Sequence, residues 1–211
     1  MSGYLIYHPA RAVSEFDTAA VYHDHIGGNQ DPYVWNKQFL HTYCHITQMK
    51  PNVGHINFWV SGDSFPDFSH LYCDLVFVVA EKLYWESANT IDCNETIVDT
   101  AEAYNDHYRW SHQHYFKRLR RYTLKADPKR SFQPQDREMK LIDILPFLLE
   151  QGMTSDDVHQ GLRSGFASKP LQLKPLLSSN LYNWFEQHAP IKLDGVQLQS
   201  LRKNNPHLAS L

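Results

Sequence analysis

Met49-Lys50-Pro51-Asn52-Val53-Gly54-His55-Ile56-Asn57-Phe58-Trp59-Val60-Ser61-Gly62 is the stretch that decides the fold. Its first half reads as a turn, because Pro51 restricts φ and Gly54 admits the left-handed region. Residues 55–61 then alternate enough for a strand, which Gly62-Asp63 closes. Downstream, Leu75-Val76-Phe77-Val78-Val79-Ala80 is a continuous β-branched and aromatic run, the pattern of a strand buried on both faces. Asp74 stands immediately before it, where a carboxylate has to be paired or shifted in pKa.

Upstream, residues 4–7 predict a short strand ended by His8-Pro9, and residues 19–26 a second one stopped by Gly27-Gly28-Asn29. Trp35, Phe39, Tyr43 and Ile46 recur at helical spacing, so residues 32–49 read as a helix. Further on, residues 97–116 read as helix, and Asp127-Pro128 and Gln133-Pro134 break the segment beyond it. Residues 140–151 form an amphipathic helix with Gly152 at its C-cap. Ser155 caps a helix to Leu162; others run from Ser178 or Ser179 to Gln187 and over residues 196–203. The expected class is α+β: a small, mostly antiparallel sheet with helices, then a helical C-terminal third. Residues 1–137 would form the α+β core and residues 138–211 a helical subdomain.

The 211 residues carry a formal net charge of −3, which taken as an average argues against a nucleic-acid partner. The charge is polarised, however. Residues 107–137 hold nine basic side chains: Arg109, Lys117, Arg118, Arg120, Arg121, Lys125, Lys129, Arg130 and Arg137. Only Asp127 and Asp136 oppose them, and the rest of the chain has eleven basic against twenty-one acidic residues. Trp110, Tyr115, Phe116 and Tyr122 are interleaved with the cations. Lys and Arg neutralise phosphates, and flat rings stack on unpaired bases. That mixture suits DNA better than a membrane surface, because no long apolar face accompanies the charge.

Other classes fall away. No run approaches the roughly 18–20 apolar residues of a membrane helix, and the first residues lack the pattern of a secretory signal. Cys44, Cys73 and Cys93 are odd in number and widely spaced, so neither a disulfide framework nor a thiolate zinc cage is indicated. A cytoplasmic location is the plain reading. Nucleophile elbows and Gly-rich phosphate loops are absent from the sequence. The C-terminal helices offer a surface for a protein partner.

Residues 49–62, with the buried run at 73–79 behind them, resemble a recurrent strand pair of PUA-like domains, including the EVE and ASCH relatives and domains found beside nucleotide-modification enzymes. The resemblance implies a small barrel-like sheet that receives an altered base flipped from a helix. Stacking rings and a few polar groups suit such a base, and Phe58 and Trp59 are the local rings, with Asn57 and Asp63 beside them. Were the pocket catalytic, hydrolysis of the N-glycosidic bond is the simplest chemistry. Asp24, Asp63 or Asp74 would supply the carboxylate, and His25, His45, His55 or His70 a proton donor. No cofactor is then required.

A second stretch, Tyr22-His23-Asp24-His25-Ile26-Gly27-Gly28 with Asn36 and His45, resembles the HNH family of metal-dependent nucleases. By that resemblance Asp24 and His45 would ligate Mg²⁺ or Mn²⁺, His25 would activate water, and Asn36 would orient that base. A reader domain without catalysis is the remaining alternative.

Overall fold

In a computed structural model, residues 1–8, 11–23, 34, 41–42, 51–63, 68–84, 122–162 and 170–203 are described. They form β1 (Gly3–Tyr7), β2 (Ala12–Phe16), β3 (Ala19–His23), β4 (His41–Thr42), β5 (Ile56–Gly62), β6 (Leu71–Tyr84), β7 (Tyr122–Ala126), β8 (Phe132–Gln135) and β9 (Ile142–Asp143). Next come α1 (Leu145–Glu150), α2 (Ser155–Leu162), β10 (Leu171–Leu173), α3 (Pro175–His188), β11 (Ile191–Asp194) and α4 (Gly195–Lys203).

The class is α+β, with one large sheet in the order β10-β1-β5-β6-β7-β4. β6 is its hub. Its first half pairs with β8 and β9, its second half with β7, and β5 runs antiparallel along its other edge. β1 and β5 are parallel, while the other described ladders are antiparallel. Among the described residues the sheet has nine strands and does not close into a barrel, which corrects the expectation of a small barrel-like sheet. β6 is 14 residues long, which lets it serve two successive sets of neighbours.

Both faces of the sheet are covered, as the apolar run in β6 requires. Leu5, Ile56, Phe58, Val76 and Val78 pack under α1, α2 and α3 through Leu148, Val158, Leu162, Leu181 and Phe185. α3 sits so close to β1 that a Cβ on Gly3 would lie 2.1 Å from Ser178 Oγ. On the opposite face, Tyr4, Ile6, Trp59, Leu75, Phe77 and Val79 lie with Ala19 and Val21 of the β2–β3 hairpin and with Leu198 of α4. Among the described residues no helix is long and apolar enough to cross a membrane.

The last third carries helices, as the periodicity predicts, but also strands. β9, β10 and β11 pair with β6, β1 and β8, so strands from both sides of residue 137 share one sheet. The helix expected over 140–151 shortens to α1 because residues 142–143 are claimed by β6. Pro146 falls in the first turn of α1, where a missing N–H is harmless, and Gly152 ends the segment at φ 88°. The cap of α2 is Thr154 rather than Ser155. Asp157 N donates to Thr154 Oγ1 and Thr154 N donates back to Asp157 Oδ2, both at 3.1 Å. His41 and Thr42, read as helical, pair with Lys125 and Leu124, since a long-range ladder outweighs local periodicity. The helix expected over 97–116 lies outside the described residues.

Candidate functional site

The site begins with an irregularity between β5 and β6. Trp59 pairs with Leu75 but Val60 pairs with Cys73, so Asp74 is an extra residue in β6. Such a bulge re-aims a side chain. Asp74 is aimed at the face of the sheet that carries Trp59, where it meets the segment after β1.

His8 keeps the alternation of Tyr4 and Ile6, and its N–H donates to Val60 O at 3.0 Å, extending the β1–β5 pairing by one residue. Its Nε2 lies 2.6 Å from Asp74 Oδ2, and Arg11 Nε donates to the same oxygen at 3.0 Å. The side chains of His8, Asp74 and Arg11 are 2%, 0% and 0% exposed. A buried carboxylate is tolerated only when paired in this way. Next to Asp74, burial and the carboxylate's own charge push the Cys73 thiol well up, so it stays protonated and unreactive.

A second feature occupies the same face. Asn57 and Trp59 are two apart on β5, so both side chains leave the sheet on that side. Each is fully buried, and the Trp59 ring lies 5.8 Å from that of His8. Trp59 Nε1, both amide atoms of Asn57 and Asp74 Oδ1 have no hydrogen-bond partner among the described residues. More than nine in ten buried polar groups in folded proteins are satisfied. Three unsatisfied side chains in a row on one face are therefore a concentration of unmet hydrogen-bonding capacity.

The expected site residues divide sharply. Asp74 is at the centre of this cluster. Asp63 shares none of its partners and serves as a loop brace. It accepts from Ser69 Oγ at 2.7 Å, Ser69 N at 2.8 Å and His70 N at 2.9 Å, bonds that hold its carboxyl far below the usual range. His70 Nδ1 pairs with Asp143 Oδ2 at 2.9 Å, which raises its pKa. His55 accepts from Asn52 N through Nδ1 at 3.1 Å, and burial lowers its pKa, so it is the neutral imidazole.

Phe58 points to the other face, fully buried 6.4 Å from Phe185, which corrects its assignment as a stacking ring. Strand alternation forces neighbours to opposite faces, so Phe58 and Trp59 do not flank one pocket. Trp59 is buried as well and offers its indole N–H rather than an open ring face. Of the basic residues, Lys125 lies half-buried in β7, and Lys129 and Arg130 are exposed in the turn before β8. Asp24, His25, Asn36, His45, Arg109, Trp110, Lys117, Arg118, Arg120 and Arg121 lie outside the described residues. Among the described residues, no group of three or more His, Cys, Asp or Glu could hold a metal ion.

His8 and Arg11 do not stand out in the sequence. The one signal for His8 is its place a step beyond a buried strand, in phase with Tyr4 and Ile6. Nothing comparable marks Arg11. Compared with known proteins, the chain matches no family model, no curated protein and no solved structure.

Proposed function

We propose that the protein binds DNA and reads a base that is modified or extruded from the helix. The observation that carries this reading is the row of buried, unsatisfied polar side chains, Asn57, Trp59 and Asp74, on one sheet face. Leaving such groups unpaired is costly, and a nucleobase edge supplies the donors and acceptors they lack. The basic segment 107–137, whose described members Lys129 and Arg130 are exposed, would hold the phosphates. The mostly antiparallel pairing, without the closed barrel, is what the sheet shares with a PUA-like reader. A cytoplasmic setting, and a protein partner on the C-terminal helices, belong to the same reading.

The His8–Asp74 contact at 2.6 Å favours a second reading, hydrolysis of the N-glycosidic bond. The oxygen of a water bonds to C1′ as the C1′–N bond breaks, and the bonding pair leaves on the base. The water's proton passes to the His8–Asp74 pair, and the departing base is protonated in turn. Arg11 holds the same carboxylate oxygen as His8, so the imidazole takes the proton and the carboxylate orients it.

One experiment separates the readings. Plain and base-modified duplexes are incubated with the protein in EDTA and in Mg²⁺, and products are resolved for released base and cleaved strand. Released base in EDTA supports hydrolysis at the His8–Asp74 pair. Selective binding without product leaves the reader. Strand cuts that require Mg²⁺ favour the HNH-like alternative. Absence of salt-sensitive DNA binding overturns all three.

A further inference from the structure

We infer that Ser14 and His23, on one face of the β2–β3 hairpin, form a nucleophile–base pair that transfers small acyl groups, with carboxylic esters as substrates. The inference goes beyond the base-reading proposal and does not rest on it.

The hairpin register makes the pair. Ser14 lies opposite Val21 and Ala12 opposite His23, so Ser14 and His23 are diagonal neighbours on the same face. Ser14 Oγ and His23 Nε2 are 2.8 Å apart. In the neutral ring that carries its proton on Nδ1, Nε2 accepts from the Ser14 hydroxyl. A hydroxyl is a weak nucleophile alone, and a base within this reach is what activates it.

Exposure is graded across the hairpin. Ala19, Val21 and His23 of β3 are buried, whereas Ala12, Ser14 and Phe16 of β2 are half-buried. The base is therefore held firmly, while the nucleophile stands where a small substrate reaches it without the hairpin moving. Phe16, two residues along the same face, is the apolar neighbour for a short acyl chain.

The backbone supplies a donor for the developing charge. Tyr22 N and O are bonded to the Gln133 side chain and Ala20 O to Gln135, so Tyr22 and Ala20 turn their polar groups away from β2. Antiparallel pairs alternate between bonded and non-bonded. The residues opposite them, Val13 and Glu15, consequently turn theirs to the outer edge of β2. Among the described residues no strand pairs with that edge. The Glu15 N–H, immediately after the nucleophile, is thus available to the acyl oxygen as it becomes an oxyanion.

The reaction balances without a cofactor. As Ser14 Oγ bonds to the acyl carbon, its proton passes to His23 Nε2. The C–O bond to the alcohol breaks, and the departing oxygen takes that proton. A water then bonds to the acyl carbon and gives its proton to Nε2, and Ser14 Oγ regains it as the acid leaves. An ester and a water become an acid and an alcohol.

The test uses the full chain with a fluorophosphonate and with p-nitrophenyl acetate. Peptide mapping should find the phosphonyl adduct on Ser14, and Ser14→Ala should abolish both that adduct and ester turnover. His23→Gln should slow both by about a hundredfold or more. In the wild type the labelling rate should rise with pH and level off once the imidazole has lost its proton. No adduct on Ser14 in the folded wild type overturns the inference, as does labelling that His23→Gln leaves unchanged. Should His23→Gln fail to fold, the wild-type profile decides. A rate that climbs without levelling marks attack driven by hydroxide, and the pair is then only a clip between the two strands.

Discussion

Asp74 and Arg11 are 63 residues apart in the chain and meet at 3.0 Å with both side chains at 0% exposure. Two charges taken out of water this completely are stable only as a pair. Asp74→Ala leaves Arg11 and His8 facing an emptied position and should cost about 3–5 kcal/mol in urea unfolding. The Arg11→Met/Asp74→Leu double variant removes both charges and should recover most of that loss. A loss for Asp74→Ala of under about 1 kcal/mol, the range of surface substitutions, would sink the idea that the pair is buried and coupled.

Gln133 grips Tyr22 at both its N–H and its C=O, and Gln135 holds Ala20 O. These amides act as a substitute strand along the edge of β3. Gln133→Met should leave the Tyr22 backbone unpaired at a cost of about 1–3 kcal/mol. Amide exchange over residues 19–23 should accelerate with it. Unchanged exchange there would mean that apolar contacts alone hold the hairpin.

Stability should respond to pH through two carboxylate clusters with opposite signs. The hydrogen bond that His70 Nδ1 donates to Asp143 raises the His70 pKa, so its contribution is complete below the ordinary 6.5 and fades as pH rises through the higher folded value. Ser69 and His70 lower the Asp63 pKa, so its contribution is complete above the ordinary 3.8 and fades as pH falls through the lower folded value. Melting curves across pH should show His70→Gln flattening the neutral-range slope and Asp63→Asn the acid-range slope. Neither slope changing would assign the pH dependence elsewhere.

Ser178 Oγ is buried in α3 without a partner among the described residues and fills the space over Gly3. Ser178→Ala should therefore be neutral or stabilising by up to about 1 kcal/mol. Gly3→Ala forces a Cβ onto that side chain and should cost about 1–3 kcal/mol by overpacking. In thermal melts, Gly3→Ala tolerated without loss would show that α3 can shift away from β1.

Lys129 and Arg130 stand exposed in one turn. If they contact phosphates, their double alanine variant should weaken binding to every duplex alike and reduce the salt slope of log K by about two. A slope that stays the same removes this turn from the DNA surface.

Much of the scaffold is legible along the chain. β1, β5 and β6 announce themselves through β-branched and aromatic runs, and α2, α3 and α4 through periodicity, because those patterns report which residues leave water. The segments that mislead are those whose fate depends on a distant partner. His41 and Thr42 sit in a helical pattern yet join β7. Pro134, read as a breaker, pairs with Lys192 inside β8. The candidate site is half legible. Asp74 stands out as an acid before an apolar run, and Trp59 and Asn57 as polar-edged residues in a strand. Phe58 is misplaced because its burial is visible in the sequence but its face is not.

The sequence by itself determined which segments are buried, where the turns fall, and that the charge is polarised about residues 107–137. It did so because apolar periodicity, Gly and Pro chemistry and ionisable side chains act locally. Only the tertiary structure decided that β1 lies parallel to β5, that β6 carries two sets of neighbours, and that one inserted residue turns Asp74 toward His8 and Arg11. Strand pairing and register are settled by long-range packing. A slip of one residue exchanges the two faces, and no local pattern records it.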